Sequence, residues 1–96
     1  MKIKVDINLK DFKGKELLEN GKPVNLKDII TGALLMPEEN VSGKDKAERY
    51  FLAQRVENSG KEFETTAEEI STIKDLIGKF YTPLIVGQAY EILENK

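Results

Sequence analysis

The chain has no cysteine, no histidine and no tryptophan. Without cysteine there is no disulfide and no thiol nucleophile; without histidine there is no Ser-His or Cys-His arrangement and no zinc site of the usual kind. Most enzyme chemistries therefore lose their customary parts. An excess of one charge is also missing: 15 Lys plus Arg stand against 17 Asp plus Glu, a net charge of -2. That balance gives no nonspecific hold on a phosphate backbone or an anionic bilayer. Long apolar runs are absent as well. Met1-Lys2-Ile3-Lys4 starts charged and polar residues interrupt by Asn8, so neither a signal peptide nor a spanning helix is expected, and the expected location is the cytoplasm. Asn40-Val41-Ser42 matches a glycosylation acceptor, a match read as accidental without a secretory signal.

What is present, 40% hydrophobic and 33% charged residues in 96, suits one globular domain spanning 1-96 with a modest core. Ile3, Val5, Ile7 and Leu9 alternate with polar residues, the period-2 pattern of a strand with one buried face. Asn20-Gly21 tolerates the positive φ angles of a tight hairpin turn, and Pro23 confines a returning strand to an edge. Asn25 is a good helix N-cap for a stripe of Leu26, Ile29, Ile30, Ala33 and Leu34, and that helix must stop before Pro37. Ser42 caps a second helix, for which Ala47, Tyr50, Phe51 and Val56 are the expected inward stripe and Asp45 and Arg49 an exposed pair four residues apart. Lys61 to Thr65 reads as a short strand. Thr66 with Glu69 three residues on is a capping box opening a third helix, and Thr82-Pro83 starts a fourth. The last helix is apolar on nearly all sides and is expected at the centre of the core or in a subunit interface, where Val86 and Ile92 would lie; Gly87 would mark a close helix contact. The fold class is thus α+β: an amino-terminal β-hairpin or small antiparallel sheet packed on about four short helices.

Motifs for phosphate, dinucleotide or calcium binding are not found, and Gly43-Lys44 fails the P-loop pattern on both sides. No cofactor is expected. Carboxylates are the plentiful reactive groups: Glu62, Glu64, Glu68 and Glu69 fall within eight residues. Two of them in one pocket would shift each other's pKa or hold a hard cation, whereas Glu68 and Glu69 also suit a helix's first turn on dipole grounds. Beside an exposed Phe63, Glu62 and Glu64 form a candidate partner-binding surface; the competing reading is a strand edge protected by charge. A helix-turn-helix reading of the last two helices fails, because the second offers apolar residues and Glu where a groove reader needs polar and basic ones. Tyr50, Phe51, Phe80, Tyr81 and Tyr90 read as core aromatics at helical spacing. Tyr81 and Phe12 are the candidate exposed anchors; Phe12 lies at a turn off the strand's apolar face, with packing beneath that turn as its alternative.

Tyr50-Phe51-Leu52-Ala53, the segment Ile70 to Lys79 and the segment Tyr81 to Glu94, with the Lys10-Asp11 to Gly14-Lys15 turn and the Leu26 to Leu34 helix, resemble a small protein carried by tailed phages and prophages. The resemblance carries over no catalytic residue. It implies an intracellular phage protein acting in virion assembly or against a host system. The leading expectation is a noncatalytic protein that binds a virion or host protein, with a homo-oligomer as one form of assembly. Two alternatives are a nucleic-acid-associated regulator using Lys2, Lys4, Lys10, Lys13, Lys15 and Lys22, and a carboxylate-dependent enzyme.

Overall fold

A computed structural model describes residues 1-94. The element order is β1 (Lys2–Lys4), β2 (Leu18–Glu19), β3 (Lys22–Pro23), α1 (Leu26–Leu35), α2 (Gly43–Asn58), β4 (Glu62–Glu64), α3 (Ala67–Phe80) and α4 (Pro83–Glu94). Two small antiparallel sheets, β1-β4 and β2-β3, accompany the helices, which is the expected α+β class.

Local chemistry accounts for most boundaries. The Asn25 side chain accepts from the Lys27 backbone N–H, Ser42 accepts from Asp45, and the Thr66 and Glu69 side chains cap α3 reciprocally. Each satisfies backbone donors that a helix start leaves unpaired. α1 ends ahead of Pro37 with Met36 in an extended conformation. The Thr82 carbonyl accepts from Val86 N–H at 2.9 Å, so Pro83 is the first residue of α4. Between β2 and β3, Asn20 and Gly21 take φ of 53° and 78°, the left-handed pair of a two-residue hairpin.

The alternating segment does not run as one strand. β1 pairs with β4 through Ile3 opposite Phe63, and Val5 N–H still reaches the Lys61 carbonyl. β4 is only three residues long, and beyond Val5 the chain tightens into a turn in which Ile7 N–H bonds the Val5 carbonyl at 3.0 Å. It then changes partner: Leu9 N–H donates to Val24 and Leu26 N–H to Ile7, while Asn8 bridges Asn25 and Lys10 bridges Glu16. Parity survives the change, so Ile3, Val5 and Leu9 are all buried.

α1 is the central helix, a place expected for α4. It packs against both α2 and α3 and buries Leu26, Ile29, Ile30, Ala33 and Leu34. α4 lies outside, on α3 and β1, with Ala89 and Leu93 buried and Ile85, Val86 and Ile92 half-buried against the same core. Its other face carries Gly87, Glu91 and Glu94. Lys74 holds it to α3 by an ion pair to Glu94 at 2.7 Å, and the Tyr90 hydroxyl donates to the Lys74 carbonyl at 2.8 Å. Among the described residues no helix is long and apolar enough to cross a membrane.

The inward stripe of α2 is Leu52, Ala53 and Val56. Ala47, Tyr50 and Phe51 face outward, the two aromatics 51% and 59% exposed and packed edge to face on each other at 5.4 Å. Both stripes are regular at helical spacing, and the one with small Ala53 meets α1. Arg49 does not pair with Asp45; it reaches Glu38 at 2.8 Å.

Candidate functional site

The segment between Lys10 and Glu16 is a loop hydrogen-bonded both within its turn and at its base. Asp11 Oδ1 accepts from the backbone N–H of Lys13 at 2.8 Å and of Lys15 at 3.0 Å, Asp11 N–H donates to the Lys15 carbonyl, and Gly14 closes the turn at φ 85°. Asp side chains favour such local backbone bonds. From the far end of the chain Gln88 on α4 grips the loop's base. Its Oε1 accepts from Lys10 N–H at 2.8 Å, and its Nε2 donates to the Lys10 carbonyl at 2.6 Å, as a neighbouring strand would. On this fixed loop Phe12 is 97% exposed. It has no packing beneath its turn.

Around Phe12 stand Lys10, Lys13 and Lys15, whose side chains make no ion pair among the described residues. Lys10 lies opposite Glu16 across its backbone bridge, and the other three amino-terminal lysines also face acids. Lys2 and Lys4 lie opposite Glu64 and Glu62 in the β1-β4 register, and Lys22 lies opposite Glu19. Three of the six lysines thus share the loop that carries Phe12.

A second surface arises because α2 and α3 both dock on α1 and leave a groove of about 500 Å³ between them. Phe51 and Leu52 give it apolar walls, and Asp45, Glu48 and Glu68 stand along it. None of these three carboxylates makes an ion pair among the described residues. Its inner end is closed by Arg55, which bonds Glu69 at 2.5 Å and the Glu64 carbonyl at 3.1 Å and lies 5.1 Å from the centre of the Phe63 ring. Burial would raise the Glu69 pKa, but the bonds from Arg55, the Thr65 hydroxyl and Thr66 N–H outweigh it and leave the carboxyl below its ordinary value. Glu69 is thus occupied as cap and cross-brace.

On the other flank of α2 a groove of about 650 Å³ exposes Leu35 and Met36. Within it Glu38 accepts from Lys79 and from Arg49, bonds that lower its pKa, while Glu39 and Lys46 also line it and make no ion pair among the described residues.

The structure separates the residues expected to bind a partner. Phe63 is 3% exposed: it faces Ile3 across the sheet and lies under Arg55, so it is core and not an anchor. Glu62 and Glu64 remain exposed on either side of it, opposite lysines, as in a charge-protected strand. Tyr81 is half-buried too. Its hydroxyl lies 2.6 Å from where a Cβ on Gly32 would stand, in a slot that exists because α1 has glycine there; burial and then the charge of Glu19 raise its pKa. Phe12 alone of the expected anchors is open. Val86 and Ile92 are partly committed to the chain's own core, and Gly87 has nothing within 4 Å of a Cβ, so it marks no close contact. Tyr50 and Phe51, read as core, are the exposed aromatics that periodicity misplaced. Among the described residues no three carboxylates gather so as to hold a cation. No family model, no curated protein and no solved structure matches the chain.

Proposed function

We propose that this chain works by binding another protein, without catalysis, and that the Phe12 loop is its principal contact. The observation that supports this reading is a large apolar side chain left 97% exposed on a loop held by Asp11 and Gln88. Singly exposed apolar residues are ordinary on protein surfaces, but this one is presented on an ordered backbone. Much of the entropy of ordering a contact loop is already spent before a partner arrives, and buried aromatics are common interface anchors. Lys10, Lys13 and Lys15 add a basic rim that steers the loop toward an acidic surface. The resemblance to small phage and prophage proteins supplies the context: the partner is a virion component or a host protein in the bacterial cytoplasm.

The test is a pull-down with the tagged chain from a lysate of a bacterium carrying an induced or infecting phage, with and without nuclease, alongside Phe12→Ala. The expected result is a stoichiometric protein that survives nuclease and is lost with the variant, whose circular dichroism stays that of the parent. Equal capture by both chains, or capture of nuclease-sensitive material alone, overturns the reading.

A further inference from the structure

The two surfaces complement each other. One is an apolar knob, Phe12, on a loop that also carries Lys10, Lys13 and Lys15. The other is the α2-α3 groove, with Phe51 and Leu52 among its walls and a lining of net charge -2, Asp45, Glu48, Glu68 and Glu69 against Arg49 and Arg55. Asp11 and Glu16 keep their charges while accepting from neutral donors, so the loop from Lys10 to Glu16 is net +1, three lysines against two acids. At 97% exposure Phe12 does not occupy its own chain's groove. We propose that the groove receives the Phe12 loop of a second copy, so that the chain associates with itself head to tail. This inference rests on the reading of the Phe12 loop as a protein contact and adds a second copy of the chain to the partners of that loop.

A contact between two different patches is heterologous: each bound copy still offers a free knob at one end and a free groove at the other. Association is then open or ring-forming rather than limited to a two-fold dimer. A single loop in a groove is a small interface, so the contact is weak, and its lysine-carboxylate pairs at a solvated rim make it salt-sensitive.

The experiment is sedimentation equilibrium of the purified full chain from micromolar to millimolar concentration, at low and at high ionic strength. Two variants are run with it: Phe12→Ala, which removes the knob, and Glu48→Lys with Phe51→Ala, which spoils the groove. All three positions are exposed, so folding is retained, and circular dichroism checks it. The expected result is a mass that rises with concentration, falls back with salt and stays monomeric for each variant alone. Mixing the variants restores one contact, because the first keeps its groove and the second its knob, and gives a 1:1 heterodimer that grows no further. A parent chain monomeric at every concentration, or an association that either variant retains, overturns the proposal. If a different protein is captured through Phe12 while the pure chain stays monomeric, self-association falls and the reading of the loop stands; if no protein is captured through Phe12 and the pure chain stays monomeric, both fall.

Discussion

Gly87 sits in the middle of α4 among Ile85, Val86 and Ala89, yet a Cβ placed on it meets nothing within 4 Å. No tertiary contact requires glycine there, and the backbone is ordinary helix. Gly87→Ala is expected to stabilise the fold by about 0.8 to 1 kcal/mol, the intrinsic helix preference of alanine over glycine. A urea titration that shows a higher midpoint with an unchanged slope is the check; a lower midpoint would mean that α4 is packed on that side. Gly32 is the opposite case, since its missing Cβ is the space the Tyr81 hydroxyl enters. Two glycines in apolar helices thus have different uses, and only the position of a residue distant in sequence distinguishes them. Phe63 carries the same lesson: its neighbours Glu62 and Glu64 suggested exposure, and the guanidinium of Arg55 above its ring covers it instead.

Between elements, two carboxylates act as braces. Glu38, ahead of α2, is held by Arg49 on α2 and Lys79 on α3, and Glu69 on α3 is held by Arg55 on α2. Both have pKa values below the ordinary carboxylate range when folded. Between those lowered values and the ordinary range the unfolded chain binds more protons than the folded one, so stability rises with pH there. Their contribution is complete above the ordinary range and is lost as pH falls through the folded values. Glu38→Gln is expected to flatten this acid-side slope, followed as the urea midpoint from neutral pH into acid; an unchanged slope would mean that the brace contributes nothing.

The element scale is also where the sequence was most legible. Caps at Asn25, Ser42 and Thr66, the Asn20-Gly21 turn and the stop before Pro37 are set by neighbouring atoms, and all of them form. Which face of α2 turns inward is not local. The expected stripe of Ala47, Tyr50, Phe51 and Val56 and the observed one of Leu52, Ala53 and Val56 share only Val56, and it is the docking of α2 on α1 that separates them. The length of β1 depends likewise on β4, whose short run ends the pairing and sends the chain to Val24 and Asn25. Of the candidate site, Phe12 was legible because it falls off the strand's face at a turn. The grip of Gln88, 78 residues away, and the α2-α3 groove were not, since both depend on how distant elements dock.

At the scale of the molecule the parts form an elongated body of 41 × 28 × 22 Å, with one core shared by β1, β4 and all four helices and an exposed aromatic loop tied to α4. The acidic groove lies where α2 and α3 diverge from α1. The chain contains no tryptophan, so a single Trp placed at position 12 reports on that surface alone. The emission of Phe12→Trp, followed as the purified protein is concentrated, tests the central claim most directly. The account predicts solvent-exposed emission when dilute, a shift to the blue with reduced acrylamide quenching as concentration rises, and reversal by salt. Emission that stays solvent-exposed at the highest concentration, or is already buried at the lowest, would contradict it.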